Sequence, residues 1–344
     1  MGGIARRLGL AAAAVAAAPL LAAGVAGAAD TDVRFTLDWK YQGPTAAFVV
    51  AKDLGYYQAE GLDVTVDSGN GSAGAVTRVA SGAYQMGFAD INALVEFNVQ
   101  NPGQAAKAVM MVYDTAPFGV YSLKKTGIKG PKDLVGKRLG APVFDASYKL
   151  FPAFAKQVGI EPAAVLRVNM DPPLREAMLV RGDVDVISGH YFSSMLDLQS
   201  KGVPADQVDF MLYKDFGMDF YGNAVIAGGK FMADSPAAVT AVNRAVAKAW
   251  RWVVANPDGA VDIVAKLDPL VDKKLERQRL AMALDTNILT PYVRRNGMGG
   301  VEHARLENSV RQLAGALGLK TTPAVADIWS DAFLPAAAER RLVD

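Results

Sequence analysis

The chain has 344 residues, 51% hydrophobic and 21% charged, a balance that excludes a disordered or fibrous protein and leaves room for about two domains. Lysine plus arginine (36) nearly cancels aspartate plus glutamate (35), so the basic excess of a nucleic-acid binder is missing. There is no cysteine and there are only two histidines, His190 and His303. This excludes disulfides, thiolate nucleophiles and Cys- or His-rich metal sites, and no cofactor is expected.

Met1 to Ala28 reads as an export signal. Arg6 and Arg7 supply the positive start, Leu8 to Ala23 the apolar run, and Ala26-Gly27-Ala28 the small-x-small cleavage site. The alternative, an uncleaved anchor, lacks the basic or aromatic belt that should follow the run. The arginine pair leaves Sec and twin-arginine export both open, and no cysteine follows for lipid attachment. Removing residues 1–28 turns the net charge slightly negative and delivers a mature chain to the periplasm. No later segment approaches the ~20 apolar residues that span a bilayer.

From Val33 onward short strands and helices alternate, the pattern of α/β layers with largely parallel sheets. The expected strands and helices of the first part are Val33–Leu37, Ala46–Lys52 (helix), Leu62–Val66, Ser72–Ala80 (helix, closed by Gly82) and Tyr84–Ala89. A second lobe follows with Arg138–Ala141, Ala146–Val158 (helix), Val165–Val168, Leu174–Arg181 (helix) and Val184–Ser188. The passage Val79 to Asp90 is echoed by Leu179 to His190, each a helix end, a glycine, a strand and a polar residue eight positions later. Chance similarity and a shared plan for two lobes are both open readings. An extended segment from Val109 to Leu123 leads out of the first lobe. Asp209–Tyr213 and Ala224–Ala227 lead back, so two hinge crossings flank a cleft. The division is 1–28 signal, 29–120 with 224–344 as the first lobe plus a helical tail, and 121–223 as the second lobe. Val239, Val242, Val246 and Trp250 form an apolar helix face in the tail, which should pack on the first lobe.

Leu37-Asp38-Trp39, the run Ala51-Lys52-Asp53-Leu54-Gly55-Tyr56-Tyr57 through Gly61-Leu62-Asp63-Val64, Gly87-Phe88-Ala89-Asp90, Pro131-Lys132-Asp133-Leu134 and Gly182-Asp183-Val184-Asp185 together resemble one family of extracytoplasmic solute-binding proteins. These serve ABC importers of sulfonates, nitrate and pyrimidine precursors of thiamine. The likeness runs from about Val33 to Leu317. It implies a two-lobed periplasmic-binding-protein (flytrap) fold, a small-molecule ligand, permease and ATPase partners at the membrane, and a monomer. The Leu-Asp-Trp opening is most similar to the pyrimidine-precursor branch, which also includes a fungal pyrimidine synthase. That enzyme's cysteine-rich segment has no counterpart here, and no nucleophile elbow, phosphate loop or metal-spaced histidine pair appears, so no enzyme is expected. A periplasmic sensor subunit remains a further alternative to transport.

Ligands of open α/β sheets sit beyond the carboxyl ends of strands, where helices begin. By that rule the first candidates are Asp38, Trp39 and Gln42, with Trp39 stacking on a planar ring or packing in the core. Ser72 follows, at a glycine-rich helix start, as a ligand contact or an N-cap, and Asp90 carries the same pair of readings. In the second lobe Phe144, Asp145 and Tyr148 occupy a strand-to-helix turn and could cover the ligand. His190 and Tyr191 sit where the echo places the cleft, as ligands or as structural residues. Tyr221 and Asn223 lie on the return crossing beside Tyr213, Phe216 and Phe220, as a cleft wall or ordinary core. Asp38, Asp90, Asp145 and Asp219 gather in these loops with only Lys40 and Lys149 as nearby cations. That balance favours a neutral or cationic ring bearing amino groups over an anion.

Overall fold

The computed structural model describes residues 1–3 and 30–343, so the expected export signal and its cleavage site lie outside the described residues apart from Met1 to Gly3. β1 (Thr31–Thr36) points Val33 and Phe35 inward and Arg34 outward. α1 (Ala46–Asp53) is buried from Ala46 to Ala51, and β2 (Leu62–Asp67) returns parallel to β1. Then come α2 (Ser72–Ala80), the wholly buried β3 (Met86–Asp90), α3 (Ile91–Gln100) and β4 (Ala106–Met111). The second sheet is built from β5 (Phe118–Leu123), β6 (Arg138–Ala141), α4 (Ala146–Gln157), β7 (Leu166–Asn169), α5 (Arg175–Arg181), β8 (Val186–His190), α6 (Tyr191–Ser200) and β9 (Val208–Leu212). β10 (Asn223–Gly228) re-enters the first sheet. The tail holds α7 (Gly229–Asp234), α8 (Pro236–Ala255), α9 (Pro257–Leu267), α10 (Lys273–Ala283), a π-helical turn at Leu284–Ile288, α11 (Pro291–Asn296), α12 (His303–Leu317) and α13 (Val325–Ile328).

The sheet orders are β2-β1-β3-β10-β4 and β7-β6-β8-β5-β9. They are one plan used twice. β3 pairs parallel with β1 and antiparallel with β10, just as β8 pairs parallel with β6 and antiparallel with β5. The sequence echo has this cause: Gly82 and Gly182 both turn the chain in the left-handed region (φ 79° and 83°) ahead of β3 and β8. Asp90 and His190 then stand at the N-caps of α3 and α6.

The chain crosses between lobes at 112–117 and 217–222. The crossings lie side by side, tied by Gly222 N–H to Tyr113 O (2.9 Å) and Ala116 N–H to Phe220 O (3.0 Å). The extended segment expected at Val109–Leu123 is therefore two strands in different sheets. A division after residue 120 would cut β5, which hydrogen-bonds along its length to β8 and β9 of the second sheet. The tail also differs from expectation. α8 and α9 pack on α1, with Val239, Val242, Val246 and Trp250 buried, but α12 touches both α3 and α4, and α10 touches α6. The tail thus reaches both lobes. Among the described residues no helix is long and apolar enough to cross a membrane.

Phe35, Phe48, Phe88 and Tyr113 form a continuous aromatic column from β1 to the first crossing, with successive ring centroids 4.9, 4.9 and 5.2 Å apart. Phe48 is fully buried at its centre. Phe48→Ala should lower unfolding stability by ~3–5 kcal/mol in urea denaturation; a loss below ~1 kcal/mol would contradict this packing.

Candidate functional site

The loop ends of the two sheets face each other across a cleft closed down to a cavity of about 10 Å³, lined by Asp38, Trp39, Gly71, Ser72, Asp145, Ala146, Arg175, His190 and Ser193. That is roughly the room of one water molecule, so a ring-sized solute enters only with the lobes further apart. Gly71 and Phe144 meet across this cleft. A Cβ on Gly71 would lie 2.3 Å from the Phe144 carbonyl oxygen, and Gly71 holds φ at 145°. Ala73 N–H donates to the same carbonyl at 3.2 Å. Only glycine allows the first-lobe loop to meet the second lobe there.

Asp38 follows β1 and is buried. Its Oδ2 accepts from Asn223 Nδ2 at 2.6 Å and Ser72 Oγ at 3.0 Å, both neutral donors of its own lobe. Burial pushes its carboxyl up to about 6; those hydrogen bonds oppose the rise and the Asp145 charge across the cleft adds to it. Trp39 is half-buried, and its Nε1 is buried without a partner.

From the second lobe, Asp145 caps α4. Its Oδ1 accepts from the Ser147 hydroxyl and backbone N–H (2.8 Å for the latter) and from Tyr148 N–H (3.3 Å). Its Oδ2 accepts from Arg175 Nη1 at 3.3 Å. Arg175 opens α5, is fully buried, donates Nε to Glu176 Oε1 at 2.8 Å, and sits 5.4 Å from the Trp39 ring centroid. Burial works against its charge, but Glu176, Asp145 and Asp197 outweigh that and hold it firmly protonated. His190 is pushed down to about 4 by burial and is neutral at pH 7. It packs among Tyr113, Phe118 and Phe192.

Of the expected residues, Asp38, Trp39, Ser72, Asp145 and His190 line the cavity. Gln42 and Asn223 stand one bond behind it, Gln42 Oε1 accepting from Ser193 Oγ at 3.0 Å. The others lie elsewhere for identifiable reasons. Asp90 caps α3 through Ala93 N–H (3.0 Å) and is bound by Asn92 Nδ2 (3.1 Å); burial raises it to about 8. Phe144 is 47% exposed and contributes its backbone to lobe contact. Tyr148 lies under the Arg167 guanidinium (3.8 Å), Tyr191 packs on Phe210, and Tyr221 lies under Arg305 (4.0 Å) with its hydroxyl bound to Glu302 N–H. The expected scarcity of cations is corrected by Arg175, which sequence reasoning passed over. It begins a helix after β7, so the strand-end rule applied to Pro172-Pro173-Leu174-Arg175 would have found it. Ser193 was missed likewise, one turn into the helix after His190.

The fold is shared with solved structures. A solved alkanesulfonate-binding protein from Xanthomonas axonopodis pv. citri superposes with a TM-score of 0.67 at 14% identity, covering 88% of this chain and 99% of that one. The model of the family described as NMT1/THI5 like matches residues 43–260, and the chain belongs to that family. Similar relatives include a riboflavin-binding protein of Chloroflexus aurantiacus (27% identical, covering 84% of this chain and 82% of the relative). A formylaminopyrimidine-binding protein of Halalkalibacterium halodurans is 23% identical, with 74% and 77% covered. The chain is thus an NMT1/THI5-like protein with the fold of a solved binding protein.

The folded-state value of Asp38 lies above its ordinary 3.8, so its protonated form favours the folded molecule. That contribution is complete below about pH 4 and is lost as pH rises through about 6, about 3 kcal/mol in all. Asp38→Asn, which keeps an acceptor for Asn223 and Ser72, should gain melting temperature relative to the parent as pH rises from 4 to 7. A difference that stays constant across that range would contradict the assignment.

Proposed function

We propose that the protein is the extracytoplasmic solute receptor of an ABC importer, exported through residues 1–28 and monomeric. It captures a planar, neutral or cationic nitrogen heterocycle of the thiamine-pyrimidine-precursor or flavin type. The observation that carries this reading is the charge balance of the cleft. The carboxylate of Asp38 is buried against neutral donors alone. Arg175, the one cation lining the cavity among the described residues, is already bound to Asp145 and Glu176. Such a site offers hydrogen-bond acceptors and an aromatic face rather than free positive charge. A ring carrying N–H or amino donors meets the acceptor of Asp38 and stacks on Trp39, while an anion would face two carboxylates. The similarity to riboflavin-binding and formylaminopyrimidine-binding proteins supports the same chemistry.

In this mechanism the solute first binds the open form at Asp38 and Trp39 on the first lobe. Closure about the two crossings then brings Asp145–Arg175, His190 and Ser193 over it. The closed form must bind more tightly than the open one for the population to shift, and the permease would recognise the closed form. Catalysis is not needed.

A thermal-melt comparison of the mature chain with formylaminopyrimidine, riboflavin, taurine and nitrate tests the solute class. A heterocycle at ~100 times its dissociation constant should add ~2.7 kcal/mol and raise the melting temperature. Trp39→Ala should weaken that binding about tenfold, ~1.4 kcal/mol, without unfolding the chain. A rise with taurine or nitrate alone would transfer Arg175 to anion binding and overturn the reading.

A further inference from the structure

Arg279 stands outside the cavity but is 2% exposed, on a helix anchored in the first lobe. Leu280 and Ala283 of the same helix belong to the first-lobe core. Glu276, one turn earlier, accepts Gly43 N–H at 2.7 Å through Oε2 and Arg279 Nε at 3.1 Å through Oε1. From this anchorage the guanidinium reaches across the cleft to α6. Nη1 donates to the carbonyls of Phe192 and Ser193 at 3.1 and 3.2 Å, and Nη2 donates to Asp197 Oδ1 at 2.8 Å. A second first-lobe cation, Lys40, holds Asp197 Oδ2 at 3.6 Å. Burial alone would raise the Asp197 carboxyl, but Arg279, Lys40 and Arg175 outweigh it and keep it below its ordinary range.

We propose that Arg279 and Asp197 form the latch of the closed state, a positioning pair that sets how strongly the lobes close without touching the solute. Opening the cleft separates Arg279 from Asp197 and from both carbonyls while Glu276 stays with Arg279 on the first lobe. Three polar contacts, one of them a largely buried ion pair, therefore report closure. The same grip fixes the first turn of α6, where Ser193 meets Gln42 and His190 faces the cavity, so the latch orients the second-lobe wall of the site. Part of the closing free energy thus resides in the protein rather than in the solute.

This inference rests on the two-lobed binding reading, but its test needs no solute. The chain contains no native cysteine. Gln100→Cys on the first lobe and Asp171→Cys on the second, both exposed positions, therefore give a spin-label pair whose distance distribution reports lobe separation. Asp197→Asn should shift the open-to-closed ratio about tenfold toward the longer distance. Arg279→Lys should fall between it and the parent, because lysine keeps the charge but loses the forked contact. Arg279→Gln should match Asp197→Asn; should it fail to fold, Asp197→Asn decides, since it leaves the anchor intact. An unchanged distribution in Asp197→Asn with native circular dichroism, or a parent chain that is open throughout, overturns the latch. Failure of every heterocycle in the melting comparison would leave this result standing, so the two readings fail separately.

Discussion

The cleft is organised around the cost of burying Asp38. A carboxylate removed from water without a cation is expensive unless its lone pairs are filled, and here Asn223 and Ser72 both serve the same oxygen. Much of the local architecture follows from that requirement. Asn223 starts β10, directly across from Asp90 in the ladder, so the return crossing must enter the first sheet at this register. Ser72 opens α2 immediately after the loop that meets the second lobe. When the lobes close, Asp145 approaches from the far side and raises the penalty further. A solute that donates a hydrogen bond to Asp38 relieves it, which couples recognition to closure.

The acidity of the cleft loops has two separate origins. Asp90 and Asp145 are N-caps, each satisfying free amides at the start of a helix. Asp219 is an exposed partner of Arg305 beside the second crossing. Asp38 alone of the four has neither a capping duty nor a cation partner among the described residues. The repeated lobe plan places a polar residue after each equivalent strand, and the difference between Asp90, which is sealed inside the first lobe, and His190, which reaches the cavity, arises from what packs around each. Arg305 adds a constraint at the hinge. It bonds Asp114 on one crossing and Asp219 on the other, and covers the Tyr221 ring, so α12 ties both crossings together.

Local pattern made the α/β alternation and most strand positions legible. The alternation of Val33, Arg34 and Phe35, the glycines at 82 and 182, and the strand Arg138–Ala141 all carry short-range signals. The first crossing was harder to read: Asp114-Thr115-Ala116-Pro117 marks a break between two apolar runs, but that the runs join different sheets is decided by tertiary pairing. At the site, the strand-end rule led to Asp38, Trp39, Ser72 and Asp145, and the echo to His190, all of which line the cavity. The rule also gathered Tyr148, and the aromatic cluster on the return crossing Tyr221, whose rings are claimed by Arg167 and Arg305. Arg175 was hidden because a basic residue at a helix start reads as solvated surface; its burial depends on Asp145 and Glu176 meeting it in three dimensions. The latch is longer in range still, joining residues 43, 197, 276 and 279, and no local pattern announces it.

The most direct test of the account is a crystal structure with whichever heterocycle most raises the melting temperature. The account predicts the solute between the lobes, its plane parallel to the Trp39 indole, a ring N–H or amino group on Asp38, and the Arg175–Asp145 pair intact above it. A solute seated outside the cleft, or one held by Arg175 after it releases Asp145 while Trp39 stays unengaged, would contradict it.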